Sequence, residues 1–236
     1  MWNELLEQHG FAIIPDVLSE SDIASLNREL AENPLPRSRA GSRNALRHSS
    51  IAELAHDPRL TGLAEKILGR GATPFRATLF DKSPNSNWLV AWHQDTTLPL
   101  RKRQDAPGWG SWSVKEGVIY AHAPASVLRR VLALRLHLDD STFENGPLRV
   151  LPGTHVMDVL GSDALHQLAA QTSAIDCVVP RGGVLAMRSV DCSLVVKVTH
   201  RTCKACVTYR IRSGAHSSEW PRDGNRLTWI LHTSPL

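Results

Sequence analysis

With 236 residues and 42% hydrophobic content, the chain is long enough for one full core and short enough that two would be crowded. Its formal charge of +4 is modest, and the basic residues are scattered outside 37–47 and 197–212, which argues against a nucleic-acid partner. There is no apolar run of about 18 residues, and the start lacks the basic-then-apolar order of a secretory signal, so a cytoplasmic protein without a membrane partner is expected.

Residues 2–9 read as a short helix, and Phe11-Ala12-Ile13-Ile14 as a strand that Pro15 ends. Ser19 caps a second helix reaching about Leu30, with Asp22 as a weaker capping-box partner and Ile23, Leu26 and Leu30 as its apolar stripe. Residues 33–48 hold two prolines, Gly41 and four arginines, and read as a solvated loop or a mobile rim over a cleft. Two further helices are expected over 51–56 and 58–68, the second with Pro58 at its start and Gly69 past its end. From Phe75 the pattern turns to short strands at about 75–80, 87–92, 118–121, 131–138 and 148–151, parted by Gly, Pro, Asn and Asp. Helices in front and many strands behind predict a mainly β fold, a barrel or double-sheet jelly roll flanked by N-terminal helices.

The chemistry centres on Trp88-Leu89-Val90-Ala91-Trp92-His93-Gln94-Asp95. Strand alternation puts His93 and Asp95 on one face and turns Gln94 away. An imidazole beside a carboxylate supplies two of the three ligands of a facial triad for non-haem Fe(II), although a bare His-x-Asp is more often a surface pair. Downstream, Leu138-Asp139-Asp140 closes a strand, and Asn145-Gly146-Pro147-Leu148 leads through another to Pro152-Gly153-Thr154-His155. The Gly and Pro residues there are turn formers, and His155 reads as a loop-fixing side chain. Trp112 and Lys115 are candidates for lining a pocket that takes an anionic co-substrate.

In order and spacing, residues 11–30, His93-Gln94-Asp95, the 138–140 strand end and the Asn145 and Pro152 turns resemble the phytanoyl-CoA dioxygenase family. That resemblance covers residues 1–188 and implies a double-stranded β-helix, Fe(II) bound by His93 and Asp95, and Gln94 near 2-oxoglutarate. It also implies that, after Arg188, a strand should carry a second ligating His, and about eleven residues on an Arg for the far carboxylate. Neither is present. Ser189-Val190-Asp191-Cys192-Ser193-Leu194-Val195 holds no His, leaving His200 and Arg210 as stand-ins for the third metal ligand and the 2-oxoglutarate fork. Three of the four cysteines fall in this tail, and His200, Cys203 and Cys206 mimic a zinc cluster.

The genetic code permits another reading. Starting one nucleotide later after Arg188 allows a continuous apolar strand, a His at the overlap of Ser193 and Leu194, and an Arg spanning the Lys204 and Ala205 codons, eleven positions after that His. Two parts are therefore expected: an oxygenase domain over 1–188, and an out-of-frame tail over 189–236 that packs poorly. The expected function is Fe(II)- and 2-oxoglutarate-dependent hydroxylation of a small organic or acyl substrate with O2, absent from this chain if the third ligand is lost. A catalytically dead oxygenase-fold protein and a cupin-like metal-dependent isomerase are the alternatives. A 2-oxoglutarate requirement separates the isomerase from the oxygenase.

Overall fold

A computed structural model describes residues 1–36, 41–82, 90–103, 106–195 and 204–213. Helix α1 (Trp2–His9) ends at Gly10, whose φ of 86° is left-handed and whose N–H donates to the Leu6 carbonyl at 2.9 Å. A Cβ at Gly10 would stand 2.1 Å from Asp191 Oδ1, so the turn needs glycine for space as well as conformation. After strand β1 (Phe11–Ile14) comes α2 (Glu20–Glu32). Here the Ser19 hydroxyl accepts from the Asp22 N–H while the Asp22 carboxylate accepts from the Ser19 N–H. Helices α3 (Ser49–Ala55) and α4 (Pro58–Leu68) follow; Arg59 pairs with Asp57 and Asp22 and ties α4 to α2.

The rest of the chain runs β2 (Thr73–Lys82), β3 (Val90–Gln94), β4 (Thr97–Leu100), β5 (Gly110–Lys115), β6 (Val118–His122), α5 (Ala125–Leu128) and β7 (Val131–His137). It continues with β8 (Leu148–Val150), α6 (Ser162–Gln171), β9 (Ile175–Cys177), β10 (Val184–Arg188), β11 (Cys192–Val195) and β12 (Lys204–Arg212). These form a five-stranded sheet, β1-β10-β7-β12-β2, a four-stranded sheet, β3-β11-β8-β9, and a three-stranded sheet, β4-β6-β5. One face of the large sheet is dry. Leu132, Leu134 and Leu136 of β7 and Val207, Tyr209 and Ile211 of β12 pack on Leu6, Ile23, Leu26, Ile51 and Leu60 of the helices. Each such side chain contributes roughly 1.5–3 kcal/mol on burial. The opposite face packs Phe11, Ala133, Leu185 and Met187 on Leu148, Val150 and Cys177 of the four-stranded sheet. The layers are therefore helix, sheet, sheet.

This corrects the mainly β, closed jelly-roll expectation. The fold is mixed α and β, with helix and strand in nearly equal shares, and its sheets stay open. Among the described residues no ladder joins one sheet to another: β1 and β2 are the edges of the large sheet, and β3 and β9 those of the smaller. The physical reason is coverage. Helices α1–α4 seal one face of the large sheet and the second sheet stacks on the other, so apolar faces are buried without curling into a barrel. The β2 edge is shielded where Ser42 and Leu79 exchange backbone hydrogen bonds at 2.8 and 2.9 Å. That contact ties down the 41–48 part of the expected rim; residues 37–40 lie outside the described residues.

The expectation of poor packing from residue 189 onward also fails for the described part. β12 lies between β7 and β2, with residues 206–211 buried, and β11 lies between β3 and β8. Alternation explains why: Val207, Tyr209 and Ile211 give this segment its own apolar face. Residues 196–203 and 214–236 lie outside the described residues.

Candidate functional site

β3 presents two faces. Trp92 packs toward Leu151 and Leu165 of the α6 side, and Gln94 points the same way. Its amide donates to the Val190 carbonyl at 2.8 Å and the Asp158 carbonyl at 3.3 Å, while its oxygen accepts from the Leu160 N–H at 2.7 Å. Gln94 thus clamps the 158–160 loop to the β10–β11 turn.

His93 and Asp95 take the other face, toward the five-stranded sheet. The His93 Nδ1–H donates to the Ala91 carbonyl at 2.9 Å, the hydrogen bond that in a neutral ring puts the lone pair on Nε2, the atom a metal would take. Asp95 forms an ion pair with Arg210 of β12. Burial pushes the Asp95 carboxyl up, but Arg210, then His93 and Arg76, outweigh it and hold the group below the usual carboxylate range. Its side chain keeps 46% of its surface exposed while Arg210 keeps 8%.

Iron needs a third ligand, and β11 is the strand that would bring it. Ser193 is the register partner of His93 in the β3–β11 ladder, so the two side chains share a face, about 5 Å apart at Cβ. Ser193 is buried, and its hydroxyl is a poor divalent-metal ligand beside an imidazole. No cluster of three or more His, Cys, Asp and Glu suited to a metal occurs among the described residues. With Arg210 already neutralising Asp95, the described residues by themselves do not fit an iron centre.

The other candidates lie apart. Lys115 is exposed on β5, its ammonium 5.7 Å from the Tyr120 ring centre, and Trp112 stacks under Arg103. His155 ties the Pro152 turn to α1, its Nε2–H donating to the Glu7 carbonyl at 3.0 Å, with Nδ1 3.8 Å from buried Asp191. Burial pushes the Asp191 carboxyl up to about 8 and the His155 imidazole down. His200 and Cys203 lie outside the described residues, and Cys206 is buried in β12. Sequence reasoning missed two arginines on the inner face of the large sheet, the half-buried Arg76 and the buried Arg135. The signal was available: Arg135 is a lone charge inside the apolar run Val131-Leu132-Ala133-Leu134-Arg135-Leu136.

The sequence pattern of the phytanoyl-CoA dioxygenase (PhyH) family matches residues 6–189. The chain belongs to that family. L-proline trans-4-hydroxylase of Streptomyces griseoviridis is 26% identical over 191 residues, covering 72% of this chain and 63% of the relative. Ectoine dioxygenase of Stutzerimonas stutzeri is 23% identical over 168 residues, covering 64% of this chain and 49% of the relative. The chain thus spans about half to two thirds of the curated relatives' length. The iron-bound crystal structure of EctD from S. alaskensis superposes with a TM-score of 0.68 at 17% identity, covering 89% of this chain and 75% of that one, a likeness of fold. PhyH membership associates the scaffold with Fe(II) and 2-oxoglutarate. The family match stops one residue past Arg188, where the motif pattern also breaks off.

Proposed function

We propose that this scaffold serves Fe(II)- and 2-oxoglutarate-dependent hydroxylation of a small organic or acyl substrate with O2, and that the chain as written does not sustain it. The observation that carries this reading is Arg210 seated on the Asp95 carboxylate while Ser193 stands opposite His93. A divalent ion would have to displace a guanidinium from Asp95 and then hold on through two side chains. Positions of the open coordination sphere that should take the co-substrate and O2 have no fixed metal to organise them.

Support for a slipped reading frame after Arg188 comes from the same register. The shifted reading puts its His at the overlap of Ser193 and Leu194, at the ladder position facing His93. The written frame still makes a strand at 204–212, because both readings alternate apolar residues there. A second reading, turnover by the chain itself with a ligand such as His200, is favoured by one observation: the His93 Nδ1–H is spent on the Ala91 carbonyl, the arrangement that suits ligation through Nε2.

One assay separates them. Purified protein is given Fe(II), ascorbate, O2 and 2-oxoglutarate, and succinate is measured, beside a version carrying the shifted frame from residue 189. Succinate from the frame-corrected protein alone supports the proposal. Succinate from the written chain, abolished by Asp95→Ala, would establish the second reading instead.

A further inference from the structure

A pocket at the β2 edge joins apolar walls to a cation that nothing in it answers. Its sides come from three parts of the chain: the 43–47 segment, Phe75 and Arg76 of β2, and Pro99 of β4 with Val118 and Tyr120 of β6. Pro99 and Tyr120 are register partners. The 43–47 segment is seated by the Ser42–Leu79 backbone pair and by fully buried Ala45. The walls are thus set before anything binds. Phe75, Val118 and Tyr120 are buried, and Leu46 adds another apolar side chain to the lining.

Three arginines border this space, and they are not equivalent. Arg43 lies 3.7 Å from the Glu116 carboxylate, which also accepts from the Asn44 amide at 2.7 Å. Arg47 is exposed, so water answers it. Arg76 is half-buried, 5.3 Å from the Tyr120 ring centre, and its Nε is buried without a hydrogen-bond partner. Among the described residues it forms no ion pair, and its register partner Arg210 is the one that holds Asp95. An aromatic face returns only about 0.5–2 kcal/mol to a cation, less than the loss of hydration costs. One positive charge is left over, which a monoanion would answer. The cavity holds about 40 Å³, room for roughly three groups of water size. A carboxylate presents three heavy atoms, fewer than a phosphoryl group.

We propose that this pocket binds a monocarboxylate with a short apolar body, its carboxylate on Arg76 and its body against Leu46, Phe75 and Val118. As the substrate class of the oxygenase scaffold, this rests on the function proposed above; as a binding site it does not. The planar guanidinium suits a carboxylate through paired N–H donors. The apolar walls set the pocket apart from a dicarboxylate site, because a second carboxylate would lose its water with nothing to pair with.

The test titrates the full chain calorimetrically, after chelator treatment and without 2-oxoglutarate, with butyrate, butylammonium, butyl phosphate and succinate. Butyrate should bind and butylammonium should not. Succinate and butyl phosphate should bind at least about tenfold more weakly than butyrate. Arg76→Gln should weaken butyrate by about tenfold or more, the worth of a charged hydrogen bond, and exposed Arg47→Gln by less than about threefold. Leu46→Trp, which fills the pocket from its rim, should abolish butyrate binding even if Arg76→Gln fails to fold. No butyrate binding, succinate or butyl phosphate binding as tightly as butyrate, or butyrate binding undiminished in the folded variants would overturn the site. Because the titration needs no iron, butyrate bound by a protein that makes no succinate in the oxygenase assay would refute the oxygenase reading and leave the pocket standing.

Discussion

The two faces of the five-stranded sheet differ in what is packed against them. On β7, Leu132, Leu134 and Leu136 turn to the helices, while Arg135 and His137, their immediate neighbours, turn to the second sheet. All of these are buried. The helix face is answered by apolar atoms at every position, and the inner face leaves guanidiniums and a threonine hydroxyl unanswered. Apolar burial is concentrated on the first face, and buried polar groups on the second. A strand alternates between the two every residue.

Neighbouring substitutions should therefore have opposite signs. Leu134→Ala should destabilise by about 2–5 kcal/mol, read from chemical denaturation, because the packed helix face cannot collapse around the cavity. A loss as large for Arg135→Met would erase the distinction between the faces.

Asp191 sharpens the same point elsewhere, as a buried acid whose oxygens lack hydrogen-bond geometry and whose carboxyl burial lifts to about 8. Its folded value lies above the unfolded one, so the folded state holds the extra proton between pH ~4 and ~8. Stability from this group is full below that window and falls as pH rises through it, by at most about 1.4 kcal/mol per pH unit. Urea midpoints at pH 5, 7 and 9 should decline, and Asp191→Asn should flatten the decline. An unchanged slope in that variant would remove Asp191 as its source.

Smaller effects belong to the helical layer. Gly10→Ala should cost at least ~1–2 kcal/mol, since the residue is left-handed and its new methyl meets Asp191. Ser19→Ala should cost about 1 kcal/mol through the lost cap, measurable as a Tm shift of a few degrees. A Gly10→Ala protein as stable as the parent would mean that α1 docks otherwise than described.

Local structure was legible wherever a local signal existed. The helix at Pro58–Leu68 followed from Pro58 and Gly69, and the strands near 75–80, 118–121 and 131–138 from their apolar runs. The open sheets were not legible, and a closed jelly roll was expected in their place, because closure is decided by distant pairing. Nothing in a strand's own residues says that β12 will lie between β7 and β2, or that helices will cover one face. The candidate site divided in the same way. His93 and Asp95 share a face by spacing alone, but Arg210 reaching Asp95, and Ser193 meeting His93, depend on register between remote strands. Arg135 was passed over because an arginine in an apolar run is commonly a side chain whose charge reaches water, and here burial on a particular face decides.

The most direct test of the account is metal retention. The purified written chain is loaded with Fe(II) under anaerobic conditions, desalted, and its iron counted per protein. Well under about a tenth of an equivalent is expected, with a marked rise when Ser193→His is combined with Arg210→Ala, because the third ligand is restored and Asp95 released. One full equivalent retained by the written chain and lost in Asp95→Ala would contradict it.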